Sequence, residues 1–173
     1  MTYTTLKPAS GPRGLWNNIR HIHPGLVLAA LDLVGLVIAS YLAITELSGR
    51  TPVCTVGGYG VSGCADVANS PYSRPFFGIP VAVYGVFLSI TLFCLAIYWW
   101  RTNKYEILLA HYGLSLVGVL FEGWFQYAQI FLIQAVCIWC EAYGISLILR
   151  FIIAFWVFVR TPRPQEDLAD ESA

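Results

Sequence analysis

Charged residues are scarce in this chain. Ten Lys and Arg and ten Asp and Glu make up 12% of its 173 residues, about half the share found in a soluble domain. The formal net charge is zero, so no attraction to nucleic acid is indicated. Hydrophobic residues make up 57% of the chain, and its mean hydropathy is +0.65. This composition excludes an ordinary soluble domain and predicts a membrane protein.

A secretory signal peptide is also lacking. Residues 1–24 are polar and rich in Pro, Gly and Arg, and no short apolar stretch with a small-residue cleavage site precedes the first long apolar segment. We therefore expect that segment to be retained as a helix, with 1–24 as a cytoplasmic N-terminal tail. Arg160, Pro162 and Pro164 predict where the last helix ends, and an acidic cytoplasmic tail at 161–173 follows.

Four long apolar runs dominate the rest of the chain. They predict membrane-spanning helices at 25–47, 79–100, 105–131 and 135–159, since a helix needs about 20 apolar residues to cross a bilayer. The predicted fold class is all-α: an integral membrane four-helix bundle at 25–160, with an outer loop at 48–78. Apolar residues are nearly continuous from 107 to 159, so the last turn, placed near 132–134, carries neither Gly nor Pro.

Ionisable residues inside these apolar segments are costly, and such residues are often functional. Glu122, in the outer half of the third segment, is a candidate to carry protons. Asp32 and His111 lie toward the opposite end of the bundle, and we expect them to pair within the bundle or to face water.

The basic residues predict the orientation of the bundle, because cytoplasmic loops carry an excess of Lys and Arg. Two lie on the side of the outer loop, Arg50 and Arg74. Seven fall on the other side: Lys7, Arg13, Arg20, Arg101, Lys104, Arg160 and Arg163. Both termini are thus predicted in the cytoplasm, with the loop and the start of the fourth segment outside. That compartment, outside a bacterial inner membrane or in the lumen of the endoplasmic reticulum, is where disulfides persist.

Four of the five cysteines form two pairs on this predicted outer side. Cys137 and Cys140 form a C-x-x-C at the start of the fourth segment. A helix puts both of these sulfurs on one face, and a helix N-terminus lowers a thiol pKa. Cys54 and Cys64 are separated in the loop by nine residues, four of them Gly. Because thiolates attack disulfides, the two pairs are suited to exchange. Cys94 has no partner in sequence and is expected to be a small buried apolar residue.

Other interpretations fit parts of this pattern. A flexible loop pair suits a shuttle that carries a disulfide between partners, but it also suits a static disulfide staple. Residues 65–70 predict a short helix, either a lid over the bundle mouth or an interfacial turn. Four cysteines also suffice for a tetrahedral zinc site, although structural zinc sites use more closely spaced pairs than Cys54 and Cys64.

Reoxidation of a thiol pair needs an electron acceptor, and the chain has no haem-attachment motif. A four-helix bundle can hold a lipid-soluble group such as a quinone between its helices. Glu122 would then relay protons, and Tyr143, three residues after Cys140, would hydrogen-bond a quinone carbonyl. The other candidate wall residues are aromatic: Tyr72, Phe76, Phe77, Trp124, Phe125 and Trp139. Aromatic residues are equally common as an interfacial belt.

The chain resembles the vitamin K epoxide reductase family in its bacterial form. The resemblance covers residues 25–160 and lies in the loop pair Cys54 and Cys64, in the late Cys137-Ile138-Trp139-Cys140, and in two short motifs. The motifs are Asn69-Ser70-Pro71-Tyr72 and Phe77-Gly78-Ile79-Pro80. The order of the pairs, with the loop pair first, is the reverse of that in the DsbB-type four-helix family.

This resemblance implies a role for each paired cysteine. Cys140 meets the quinone, either ubiquinone or menaquinone, and passes electrons to it. Cys137 exchanges with Cys64, and Cys54 exchanges with an external thioredoxin-like (DsbA-type) protein. The residues implied beside the quinone are Ser70, Tyr72, Phe77, Glu122 and Tyr143. Tyr143 lies one residue short of the quinone-site tyrosine of the animal enzymes, and the loop spacing is longer than is usual in the family.

The function implied is that of a membrane thiol:quinone oxidoreductase, located in the bacterial inner membrane, that drives disulfide formation in exported proteins. Some bacterial members carry a fused thioredoxin-like domain, and since this chain has none, its periplasmic partner is expected to act in trans. Two alternatives remain open. One is reduction of vitamin K or its epoxide, and the other is a non-enzymatic, disulfide-stapled or zinc-binding membrane protein.

Overall fold

A computed structural model describes residues 23–54, 63–75 and 77–161. Its long helices are α1 (Pro24–Leu47), α3 (Val81–Thr102), α4 (Tyr105–Tyr127) and α5 (Ile138–Arg160), and α4 continues in a π-helical turn at Ala128–Ile133. A short helix, α2 (Gly63–Asn69), and a 3-10 turn at Pro71–Ser73 lie between α1 and α3. Most of both predicted tails, the glycine-rich part of the loop at 55–62, and Phe76 lie outside the described residues.

The four long helices are long and apolar enough to cross a membrane. α1, α3, α4 with its π-turn, and α5 have 24, 22, 29 and 23 residues, and an 18-residue stretch of each has a mean hydropathy of 2.3, 2.2, 1.4 and 2.1, respectively. At a rise of about 1.5 Å per residue, even the shortest extends about 33 Å, and the hydrocarbon core of a bilayer is about 30 Å thick. The protein is therefore a multi-pass membrane protein.

The helices pack as a ring. α1 and α4 each pack against both α3 and α5, and consecutive long helices run in opposite directions. This arrangement confirms the predicted all-α four-helix bundle. The ends of α1 and α4 and the starts of α3 and α5 meet at one end of the bundle, where α2 also lies.

Large apolar side chains cover the outer surface of the bundle, as expected of a protein that faces lipid. Val37, Phe87, Leu120 and Ile152 are exposed on four different helices. Cys94 is also exposed, on α3, so the expectation that it is buried was wrong. That expectation used a burial preference measured in water. In a membrane, lipid tails are as apolar as a protein core, and exposure of a thiol costs little.

Two left-handed residues close the turns between the later helices. Asn103, at φ +50°, ends α3 and donates its N–H to the carbonyl of Trp99 over 2.8 Å. Gln134, at φ +57°, follows the π-turn of α4, and Ala135 N–H then donates to the carbonyl of Gln129 over 3.1 Å. This second turn adjoins the predicted 132–134 and forms without Gly or Pro.

A buried polar cluster lies between the helices, nearer the end opposite to α2. One carboxylate oxygen of Asp32 lies 3.2 Å from Nε2 of His111, and the other lies 3.1 Å from Nη1 of Arg150. All three side chains are at most 1% exposed. Of the two alternatives expected for Asp32 and His111, pairing within the bundle is the one that the structure shows. Gly35 gives Arg150 its space, since a Cβ there would lie 2.8 Å from Nη2 of the guanidinium.

Candidate functional site

Three cysteine sulfurs cluster where α2 meets the start of α5. The Sγ atoms of Cys54, Cys64 and Cys137 lie within 4.8 Å of one another. Cys54 and Cys64 form a disulfide, and Cys137 is a free thiol that is only 2% exposed. A thiol held beside a disulfide is the arrangement that thiol–disulfide exchange requires. Two of the three sulfurs are bonded to each other, so a zinc site built on this cluster would first need that disulfide to be reduced.

Backbone and side-chain hydrogen bonds fix Cys137. It is the N-cap residue of α5, and its carbonyl accepts the N–H of Glu141 over 3.0 Å. Its own N–H donates to Oε1 of Gln129 over 2.9 Å. Gln129 is fully buried and donates from Nε2 to Oε1 of Gln126 over 3.0 Å. Gln126 in turn donates to the Glu141 carboxylate, which closes a loop of bonds between α4, its π-turn and α5.

The loop cysteines reach Cys137 through close packing. A Cβ at Gly63 would lie 2.7 Å from both the N and the O of Val136, so only glycine lets the start of α2 approach the residue before Cys137. On the other side, Val53 N–H donates to the Tyr41 hydroxyl over 3.1 Å. Trp139 Nε1 donates to the Val53 carbonyl over 2.9 Å, so one of the two residues between the C-x-x-C cysteines anchors the chain next to Cys54.

The pKa of the Cys137 thiol depends on Cys140. A hydrogen bond from the Cys140 thiol lowers the pKa of Cys137 below the ordinary thiol value. The N–H groups of Cys140 and Trp139 also lower this pKa, and burial opposes them. A lowered pKa raises the fraction of thiolate, which is the attacking form. The geometry and the electrostatics therefore both favour Cys137 as the cysteine that exchanges with the loop disulfide.

Cys140 faces a different space, a cavity of about 320 Å³ inside the bundle. All four long helices and α2 contribute to its wall, with Val67 of α2 at one end. Its polar groups come from Glu46, Glu122, Cys140, Tyr84 and Tyr143. The rest of the lining is Ala39, Leu42, Val67, Val81, Ala82, Gly85, Leu88, Val117, Gly118, Phe121, Phe125 and Leu147. Such a cavity, apolar with a few polar groups, is typical of small-molecule sites.

Two carboxyl groups of the cavity wall have an oxygen that is buried without a partner among the described residues. These atoms are Oε2 of Glu46 and Oε1 of Glu122. Gly144 makes room for the second, because a Cβ there would lie 2.6 Å from Oε1 of Glu122. Buried polar atoms are normally hydrogen-bonded, so the two oxygens indicate that the cavity takes a ligand or water with hydrogen-bonding groups.

The predicted quinone-site residues divide into two groups. Glu122 and Tyr143 line the cavity together with Cys140. Ser70, Tyr72 and Phe77 do not line it: Ser70 Oγ donates to the Val67 carbonyl over 2.8 Å, and Phe77 is 97% exposed. Their contact with a quinone stays a prediction. Of the other aromatic candidates among the described residues, Phe125 lines the cavity, whereas Trp124 and Trp139 do not.

Three residues at or near the cavity were not singled out from the sequence. Glu46 lies in the last turn of α1, where a charge ordinarily indicates the membrane interface. Gln129 accepts the N–H of Cys137 and lies in the π-helical turn, which no Gly or Pro in the sequence indicates. Arg150 lies in the middle of the fourth apolar segment, and an ionisable residue at that depth was the signal that could have identified it.

Comparison with known proteins places the chain in a family. The family model described as the vitamin K epoxide reductase family matches residues 26–155. No curated protein matches the chain.

Proposed function

This chain belongs to the vitamin K epoxide reductase family, and from that premise we propose that it passes electrons from a thioredoxin-like partner to a quinone, driving disulfide formation in exported proteins. Family membership makes the protein a membrane oxidoreductase of disulfide chemistry linked to quinones. The partner, the path and the direction of the electrons are our proposal. The observation that carries it is the placement of the C-x-x-C, with Cys137 in the sulfur cluster and Cys140 in the cavity wall.

Electrons enter at the loop pair. A partner thiolate attacks Cys54 and releases Cys64 as a thiolate, and the second partner thiol completes a partner disulfide and leaves both loop cysteines reduced. Cys64 then attacks Cys137 of an oxidised C-x-x-C and releases Cys140. Cys54 resolves the mixed disulfide, so the loop disulfide forms again and the C-x-x-C is a dithiol. This last redox state is the one that the structure has.

The cavity fits a quinone head group. Its volume of about 320 Å³ lies at the lower end of the range for small-molecule sites, roughly 300–1,000 Å³. Val117 belongs to the wall and is also 62% exposed on the outside of α4, which supports an opening toward lipid for an isoprenoid tail. A bound quinone supplies a two-electron acceptor, leaving as quinol when the C-x-x-C returns to its disulfide.

The chain's own carboxyl groups are placed to handle the protons. Formation of the Cys137–Cys140 disulfide releases two thiol protons, and reduction of a quinone to quinol consumes two. Glu46 and Glu122 line the same cavity as Cys140, and each has a buried oxygen that finds no partner within the described part of the chain. We assign them to carry the protons between the thiols and the quinone oxygens, so that no exchange with bulk water is needed.

The distribution of basic residues supports the membrane orientation that we propose. Arg50 and Arg74 lie at the end of the bundle that carries the sulfur cluster, and Arg101, Lys104 and Arg160 lie at the other. By the excess of basic residues in cytoplasmic loops, we place the sulfur cluster on the periplasmic side of a bacterial inner membrane. A soluble partner acting in trans then reaches Cys54 from the periplasm.

The deciding experiment is quinone reduction by the purified protein in detergent, with a reduced thioredoxin-like protein as donor. Ala variants of Cys54, Cys64, Cys137 and Cys140 are compared with wild type, and Cys94→Ala is the matched control because Cys94 lies on the outer surface of α3. We expect turnover to collapse in the first four and to persist in the control. Turnover that survives loss of Cys137 or Cys140 contradicts the proposal.

Two further measurements separate this proposal from the zinc and staple interpretations. Metal analysis of the purified protein is expected to show no stoichiometric zinc. In a double variant, Cys54→Ala with Cys140→Ala, mass spectrometry is expected to find a Cys64–Cys137 disulfide. Stoichiometric zinc, or free thiols at both remaining positions under mild oxidation, would favour a structural role for the cysteines.

A further inference from the structure

Arg150 is a fully buried cation that the electron path does not use. Its Nη1 donates to Asp32 Oδ1 over 3.1 Å, while Nε and Nη2 donate to the carbonyl and the hydroxyl of Ser146 over 3.2 and 3.4 Å. A cation inside a membrane bundle is costly, and a buried ion pair is a weak source of stability. The position of the guanidinium therefore invites a functional explanation.

A chain of hydrogen bonds leads from the guanidinium to the cavity. Nη1 of Arg150 also donates to Ser89 Oγ over 3.5 Å, and Ser89 Oγ lies 3.4 Å from the Tyr143 hydroxyl. That hydroxyl donates to the Gly85 carbonyl over 3.2 Å, and Tyr143 lines the cavity. The bonds from Arg150 to Ser89 and between Ser89 and Tyr143 are long, as catalytic hydrogen bonds often are before a ligand is bound.

The donors and acceptors in this chain fix its direction. Tyr143 has one hydroxyl proton and gives it to the Gly85 carbonyl, so its oxygen accepts from Ser89. Ser89 therefore donates to Tyr143 and accepts from Arg150. Every bond runs from the cation toward the cavity, and this arrangement makes the Tyr143 O–H a stronger donor.

Gly35 creates the space for the guanidinium, because a Cβ there would lie 2.8 Å from Nη2 of Arg150. At the other end of the chain of bonds, Gly85 lies in ordinary contact range of the Tyr143 hydroxyl, since a Cβ there would lie 3.4 Å from it. Asp32 and Ser146 accept bonds from other N–H groups of the guanidinium, and its Cζ lies 5.5 Å from the centroid of the Tyr143 ring. The N–H that points to Ser89 therefore lies on the Tyr143 side of the guanidinium.

We propose that Arg150 is a positioning residue for the quinone: through Ser89 it orients and polarises the Tyr143 hydroxyl as a hydrogen-bond donor to a quinone carbonyl. The inference rests on the proposed function of the cavity. On binding, Tyr143 turns its proton from the Gly85 carbonyl to the quinone carbonyl, and Ser89 continues to donate to the phenol oxygen. The positive end of the chain then favours negative charge on that carbonyl oxygen.

The test is a double-mutant cycle on Ser89→Ala and Tyr143→Phe, which leaves the Asp32–Arg150 pair intact. The probe is decylubiquinone, with menadione as a second quinone. The Kd of each quinone is measured by tryptophan fluorescence quenching in detergent. The carbonyl stretch of the ¹³C-labelled quinone is measured by infrared difference spectroscopy. Turnover with a reduced thioredoxin-like donor is recorded alongside.

We expect each single variant to raise the quinone Kd about five- to tenfold, the effect of one hydrogen bond, and to shift the carbonyl stretch to higher frequency. The double variant is expected to match Tyr143→Phe, because Ser89 acts only through Tyr143. Ser89→Thr keeps a hydroxyl and is expected to retain the wild-type Kd and spectrum. Ser115→Ala is the matched control: Ser115 is equally buried, but its hydroxyl donates to the His111 carbonyl of its own helix.

The outcomes distinguish the two proposals. Wild-type protein that neither binds nor reduces either quinone overturns the proposed function. Wild-type protein that binds quinone while Ser89→Ala leaves both the Kd and the carbonyl stretch unchanged overturns this inference alone. Single effects that multiply in the double variant also overturn it, since they would show that Ser89 acts independently of Tyr143.

Discussion

Replacing Asp32 by alanine would leave the guanidinium of Arg150 buried without a counter-charge. Both side chains are 0% exposed, and Oδ1 and Nη1 are 3.1 Å apart. Removal of one partner from a buried ion pair typically costs about 3–5 kcal/mol. For a chain of this size, about 2–4 °C of Tm is lost per kcal/mol, so we expect Asp32→Ala to lower the Tm by about 6–20 °C. Thermal unfolding of the purified protein in detergent, followed by circular dichroism, measures this.

A paired replacement separates the loss of charge balance from the loss of packing. We expect Asp32→Leu combined with Arg150→Met to recover most of the stability, because exchange of a buried ion pair for apolar side chains of similar volume is often neutral or stabilising. Glu106→Gln, at an exposed carboxylate at the start of α4, is the control, and its Tm is expected to stay close to wild type. An Asp32→Ala protein with an unchanged Tm, or a double variant less stable than Asp32→Ala, would refute the reasoning.

Two further predictions concern the cavity and the sulfur cluster. Gly144→Ala puts a Cβ 2.6 Å from Oε1 of Glu122 and forces that carboxylate to move, so we expect it to lower quinone turnover several-fold. Gly113→Ala is the control, because the space around Gly113 is open, and its turnover is expected to stay at the wild-type level. Equal turnover in the two variants would contradict the role assigned to the Glu122 carboxylate. Because a hydrogen bond from Cys140 lowers the pKa of Cys137, the Cys137 thiolate persists to lower pH than the thiolate of an ordinary cysteine. The rate of Cys137 alkylation is measured against pH, and we expect Cys140→Ala to move the midpoint of that profile to higher pH. An unchanged midpoint would count against the hydrogen bond.

The helices were predictable because a bilayer imposes a minimum apolar length on each of them. The turn into α5 shows the limit of that reasoning. Its left-handed residue is Gln134 rather than Gly, and a backbone bond from Ala135 to Gln129 holds it. No local propensity marks such a turn, since its stability comes from contacts between residues that are brought together by the bundle.

The candidate site was predictable only in part. The cysteines carry distinctive chemistry, and a resemblance to a family implied their roles, whereas Tyr143 was singled out by its spacing from Cys140. Glu46 of α1 and Val67 of α2 line the same cavity, and the periodicity of a single helix does not predict which residues of different elements share a cavity. Arg150 acts at a distance through Ser89, a residue whose type is unremarkable in a membrane helix.

The two thiols of the C-x-x-C face different partners, and this has a kinetic consequence under the proposed function. Cys137 lies in the sulfur cluster beside the loop, and Cys140 lies in the wall of the apolar cavity. The protein donor, dissolved in water, and the quinone, dissolved in lipid, therefore never occupy the same place or need to be bound together. Steady-state rates should follow ping-pong kinetics, with parallel reciprocal plots, and an inert quinone analogue should not compete with the protein donor.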